Sequence, residues 1–116
     1  VKNNLIFSLP KQTRNKKEQA LDYLKQINMV EFSDHYPSEL SGGQKARIAC
    51  LRAIISNPNA LLLDEPFSSL DKKTMKSFRH FLFDYVKKLN IPCVIVSHRL
   101  IKNLHNSFEL NIAKFT

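Results

Sequence analysis

A chain of 116 residues and 13.4 kDa holds one small domain or a part of a larger one. Hydrophobic residues at 43% and charged residues at 24% are ordinary globular usage, which excludes wholesale disorder and fibrous repeats. Eighteen Lys and Arg against ten Asp and Glu leave +8, a surplus that suits nucleotide, nucleic acid or the cytoplasmic membrane face without choosing among them.

In chain order, Val1, Leu5, Phe7 and Leu9 form a loose apolar segment that stops at Pro10, and Lys11 to Lys17 reads as a polar, basic surface connection. Ala20, Leu21, Leu24 and Ile27 then recur at helical spacing, so an amphipathic helix is expected over roughly Lys16 to Asn28. His35-Tyr36-Pro37 breaks that pattern. Ile48, Leu51 and Ile55 place a second helix from Gln44 to Ser56, closed by Asn57-Pro58.

Ala60 to Leu63 is a continuous apolar run before Asp64-Glu65-Pro66, as expected of a strand buried on both faces. Met75, Phe78, Leu82, Tyr85, Val86 and Leu89 draw one stripe along a helix of about 18 residues that begins near Asp71, a suitable cap. Ile91 to Ser97 is expected to be the next buried strand. Strand, helix and strand at this spacing form a βαβ unit with parallel strands and a right-handed crossover. Beyond His98 a short helix and the alternation Phe108, Leu110, Ile112 are expected.

The longest apolar stretches fall far below the ~20 residues that span a bilayer, and the start of the sequence shows neither an export nor a transit pattern. A cytoplasmic location is the expectation. Cys50 and Cys93 lie in apolar surroundings, without a Cys-x-x-Cys or a His at ligand spacing. Both are expected to be reduced core residues rather than zinc ligands or a disulfide.

Three constellations carry chemistry. The two glycines of the sequence are adjacent, in Leu40-Ser41-Gly42-Gly43-Gln44 directly before the second helix. Missing Cβ atoms let a phosphate reach the backbone, and a helix N-terminus favours anions; the plainer alternative is a Ser-capped helix after a Gly turn. Next, Leu61-Leu62-Leu63 delivers Asp64 and Glu65 to the carboxyl edge of a parallel sheet, where α/β proteins bind ligands. Asp64 could meet Mg²⁺ through its water shell while Glu65 faces an attacking water, although an Asp-Glu pair after a strand also serves as a simple turn signal. Third, His98 ends the next strand near the same edge, where an imidazole could bond a γ-phosphate or the water.

Taken together these residues resemble the second half of an ABC-type ATPase, the nucleotide-binding subunit of ATP-driven transporters. The likeness rests on Tyr36-Pro37 with Glu39, the signature Leu40 to Gln44 followed by Arg47 and Arg52, the Walker B strand Leu61 to Asp64 with Glu65, the D-loop Ser69-Leu70-Asp71, and the switch histidine His98. The resemblance implies an α/β fold, a partial P-loop NTPase of ABC type: a helical signature subdomain portion over residues 1–58, and a parallel βαβ part of the core over 59–116. It further implies that Ser41, Gly42 and Gly43 touch the γ-phosphate of ATP held by an opposite subunit, with Gln44 and Lys45 near the ribose or the partner. Asp64 would organise Mg²⁺, Glu65 would act as general base or water-orienting carboxylate, His98 would sense the γ-phosphate, and Ser69 and Asp71 would couple two sites across a dimer.

The family's phosphate loop, Gly-x-x-x-x-Gly-Lys followed by Ser or Thr, has no counterpart in these 116 residues. Val1 to Leu5 resembles the segment just after the Q-loop, so the sequence is expected to begin partway through the domain, lacking the phosphate-loop strand and leaving the apolar edge of Cys93 to Val96 open. The implied partners are a second ABC ATPase subunit and membrane permease subunits, at the inner face of the cell membrane, with ATP and Mg²⁺ and no nucleic acid. Two alternatives accompany this reading: a non-catalytic module offering the signature in trans, and a soluble ATPase of the same type acting on nucleic acid or ribosomes.

Overall fold

The computed structural model describes residues 1–97. Helix α1 (Lys2–Ser8) occupies the segment read as a loose apolar stretch. Its apolar residues follow a helical step: Val1, Leu5 and Leu9 are buried on one side, while Phe7 stays 86% exposed. A salt bridge of 2.8 Å from Lys2 Nζ to Asp34 Oδ1 ties this helix to the chain that returns beside it.

Helix α2 (Lys16–Gln26) buries Ala20 and Leu24 and stops two residues earlier than the periodicity suggests. The reason is a Schellman turn. Asn28 adopts the left-handed conformation (φ 57°), its N–H donates to the Lys25 carbonyl at 3.0 Å, and the Met29 N–H donates to the Leu24 carbonyl at 2.8 Å. Short 3-10 turns at Val30–Phe32 and Pro37–Glu39 carry the chain to the buried Leu40.

Helix α3 (Gly42–Ile55) starts at the glycine pair and buries Ile48, Cys50, Leu51, Ile54 and Ile55. Strand β1 (Leu61–Asp64), helix α4 (Lys72–Leu89) and strand β2 (Cys93–Val96) form the expected βαβ unit. The strands run parallel, Leu61 beside Cys93 and Asp64 beside Val96. Asp71 caps α4 by accepting the Thr74 N–H at Oδ2, 3.3 Å, and left-handed Asn90 closes it. Phe78 and Leu82 sit in one core with Leu61, Leu63 and the apolar face of α3.

Burial of both strands on two faces is not observed. Leu61 and Leu63 are buried, but Leu62 is 74% exposed, and Val94 and Val96 are 57% and 46% exposed. Only one sheet face meets helices among the described residues, so a continuous apolar run is divided by the two-residue period of a strand. Cys93 is accordingly half-buried rather than a core residue, whereas Cys50 is buried. The expected elements after His98 lie outside the described residues.

Candidate functional site at the signature helix and the end of the first strand

Two local devices set the first turn of α3. The Ser41 Oγ accepts the Gln44 N–H at 3.2 Å and the Gln44 Oε1 accepts the Ser41 N–H at 2.9 Å, a reciprocal capping box. The Gln44 carboxamide oxygen is thereby engaged within its own turn. The Lys45 N–H reaches the Ser41 carbonyl at 2.9 Å. The amides of Gly42 and Gly43 have no acceptor among the described residues, so two donors stand at the positive end of a 14-residue helix.

The two glycines do different work. A Cβ on Gly42 would meet nothing within 4 Å, and the residue is exposed. A Cβ on Gly43 would stand 2.9 Å from the Ser69 carbonyl oxygen and 3.0 Å from Leu70 Cδ2. Gly43 is therefore required by a close approach to the Ser69 backbone and the Leu70 side chain, a contact the linear sequence does not announce. It brings the first turn of α3 and the loop after β1 together within one chain.

At the end of β1, Asp64 is exposed on the same alternation as Leu62. Glu65 leaves the strand in the left-handed region (φ 49°), its N–H donating to the Val96 carbonyl at 2.8 Å. Its carbonyl accepts the Ser68 N–H at 3.2 Å and the Ser68 hydroxyl at 3.0 Å. Buried Phe67 anchors the turn, edge-on to Phe78 and Phe83 at centroid distances of 6.2 and 6.1 Å. Of the six described non-glycine residues at positive φ, four are asparagines; the others are Glu65 and Ser69 (φ 61°). Asn tolerates this conformation, but Glu and Ser are held there at a cost of about 1–2 kcal/mol each. Both strained residues lie in the segment that carries the proposed chemistry.

Asp71 accepts hydrogen bonds from the Thr74 region, and these hold its carboxyl below the usual carboxylate range. Burial, with a smaller contribution from Cys93, pushes the Cys50 thiol up to about 12, so it is a neutral packing group. No cluster of three or more His, Cys, Asp or Glu suited to a metal occurs among the described residues. Asp64 is a single exposed carboxylate at the strand end, a donor that fits a hard cation keeping most of its water shell. His98 lies outside the described residues.

A family model described as "ABC transporter" matches residues 1–68. The chain belongs to the ABC transporter ATP-binding family. It is 42% identical over 112 residues to the methionine import ATP-binding protein MetN 1 of Oenococcus oeni, covering 91% of this chain and 32% of that protein. To the ABC transporter ATP-binding protein YnjD of Escherichia coli it is 40% identical over 118 residues, covering all of this chain and 54% of that protein. The chain thus spans about a third to a half of the length of these relatives. Among solved structures, a dimeric, post-hydrolysis ATP-binding cassette bound to ADP and Pi is 34% identical, with a TM-score of 0.64 over 85% of this chain and 44% of that one. The α/β fold with a parallel sheet is that of an ABC-type P-loop NTPase domain.

Ser68 is the functional candidate that motif reading left without a role. It follows Glu65 by three residues, and that i to i+3 turn spacing is the signal that could have singled it out.

Proposed function

We propose that this chain is the signature-to-Walker B portion of an ATP-hydrolysing subunit that powers an ABC transporter. The supporting observation is the first turn of α3, where exposed Gly42 leaves open space beside two unpaired amides, its own and that of the buried Gly43. An anionic γ-phosphate presented by a second subunit fits this turn: no Cβ blocks its approach, and two N–H donors and the helix dipole meet its charge. Ser41 keeps its hydroxyl proton to donate, since its oxygen only accepts from Gln44.

In this reading Asp64 would hold Mg²⁺ through water, and the cation would supply positive charge to the phosphates. Glu65 takes a proton from the attacking water as its oxygen bonds to the γ-phosphorus; the bond to the β-phosphate oxygen breaks, and ADP and inorganic phosphate leave. His98 contacts the γ-phosphate, and Ser69 and Asp71 face the second subunit. The phosphate loop belongs to the half of the domain that this sequence does not contain. A membrane permease is the other partner, with the subunit peripheral on the inner face of the membrane. Among the described residues no helix is long and apolar enough to cross it. The methionine in one relative's name is not carried over, because the site residues are suited to nucleotide and none to a cargo.

The test is Glu65→Gln in the complete subunit. ATP binding is retained and hydrolysis falls at least about 100-fold, because only the proton acceptor changes. Turnover near wild type would remove Glu65 from that role.

A further inference from the structure

Two features disfavour the conformation in which Glu65 is held. Its φ of 49° is left-handed, a region that residues with a Cβ rarely adopt. Pro66 follows it, and a proline favours extended backbone at the residue before it. An extended Glu65 would continue β1, and the two-residue alternation would send its side chain to the face of Leu61 and Leu63, which is buried under the helices. The left-handed turn takes Glu65 off that alternation directly after exposed Asp64 and leaves it half-buried.

The neighbouring structure holds this turn. The Glu65 N–H forms the last rung to β2, donating to the Val96 carbonyl at 2.8 Å. Its carbonyl accepts twice from Ser68, from the N–H at 3.2 Å and from the hydroxyl at 3.0 Å, which closes a four-residue turn with a side-chain clasp. Phe67, inside the turn, is buried and edge-on to Phe78 and Phe83. The bond to β2 and the packing of Phe67 serve the fold whatever Glu65 does. The Ser68 hydroxyl has no such second task, since Ser68 is exposed and the bond goes to Glu65.

We infer that Ser68 is a positioning residue whose hydroxyl, by clasping the Glu65 carbonyl, keeps Glu65 in its left-handed conformation and so aims its carboxylate for the proton transfer proposed above. A strained backbone persists only where surrounding contacts over-determine it, and such strain gathers at functional sites. Without the hydroxyl the Ser68 N–H still closes the turn, so the chain folds, but Glu65 samples a wider range of backbone. A displacement of about 1 Å in a reacting group costs up to ~100-fold in rate. The clasp therefore acts on turnover far more than on nucleotide binding.

The inference rests on the reading that Glu65 takes a proton from the attacking water. Its test uses the complete subunit. The kcat and KM of ATP hydrolysis are measured well below melting for Ser68→Ala, which removes the hydroxyl, and for Ser68→Thr, which returns it. Thermal melting is compared for Glu65→Gly and Glu65→Gln, because Gly adopts left-handed backbone freely and Gln does not.

Ser68→Ala lowers kcat about tenfold with KM within about twofold of wild type, and Ser68→Thr recovers most of the rate. Glu65→Gly melts a few degrees above Glu65→Gln. A wild-type kcat in Ser68→Ala overturns the inference, as does a loss that Ser68→Thr leaves in place or that a rise in KM matches. Should Ser68→Ala not fold, the melting pair decides: a Glu65→Gly variant that melts no higher than Glu65→Gln shows an unstrained turn and overturns the inference. Wild-type turnover in Glu65→Gln overturns the proposed role of Glu65 and this inference together. Lost turnover in Glu65→Gln beside a wild-type rate in Ser68→Ala overturns this inference alone.

Discussion

Gly42 and Gly43 are chemically identical neighbours held for opposite reasons. Gly43 touches the protein itself, so Gly43→Ala drives a Cβ into the Ser69 carbonyl and destabilises the fold by about 1–3 kcal/mol, measurable by denaturant titration. Gly42→Ala meets open space at an ordinary φ, and the helix gains up to ~1 kcal/mol from the better propensity of Ala. Any functional loss in Gly42→Ala therefore reports on what approaches from outside. Cys50 is a third residue whose environment fixes its behaviour: its thiol, pushed up to about 12, resists iodoacetamide at pH 8 in the folded protein and reacts only when the chain unfolds. Rapid native-state alkylation of Cys50 would contradict that burial.

The elements of the chain differ in how plainly the sequence declares them. Helix α4 was legible to within a residue, because a six-residue apolar stripe and a capping Asp define both its face and its start. Helix α3 was equally legible in its face. Its true start at Gly42 follows from Ser41 rather than from the apolar period. Helix α1 was missed as a helix because Phe7, fully outside, blurs the spacing of Val1, Leu5 and Leu9. The strands were placed correctly, but their two-sided burial was not, since a run such as Leu61-Leu62-Leu63 has the same letters whether one face or two are covered. Nor could the approach of Gly43 to Ser69 be read, being a contact between positions 26 residues apart that leaves no local pattern. The cap on α4 carries its own pH signature. Hydrogen bonds lower the Asp71 carboxyl in the folded state, so its contribution is complete above the ordinary carboxylate range and lost as pH falls through the lowered value. Asp71→Ala accordingly lowers the melting temperature at pH 7, and the gap to wild type closes in acid.

On the scale of the whole molecule, the chain gathers the parts proposed to face nucleotide on two supports that meet at the Gly43–Ser69 contact: the start of α3, and the end of β1 with the turn that follows. The apolar core lies beneath one sheet face, and Leu62, Val94 and Val96 line the other. The family to which the chain belongs was legible from LSGGQ and LLLDEP in order. The division of labour between the two glycines and the clasp of Ser68 on Glu65 needed three dimensions. The central claim is that the open turn at Gly42 serves a nucleotide bound by another subunit. Sedimentation of the complete subunit bearing Glu65→Gln, with and without Gly42→Ala, in the presence of ATP tests it most directly. The account predicts a dimer in the parent and a monomer in the Gly42→Ala variant at a melting temperature no lower than the parent's; an equally tight dimer in both would contradict it.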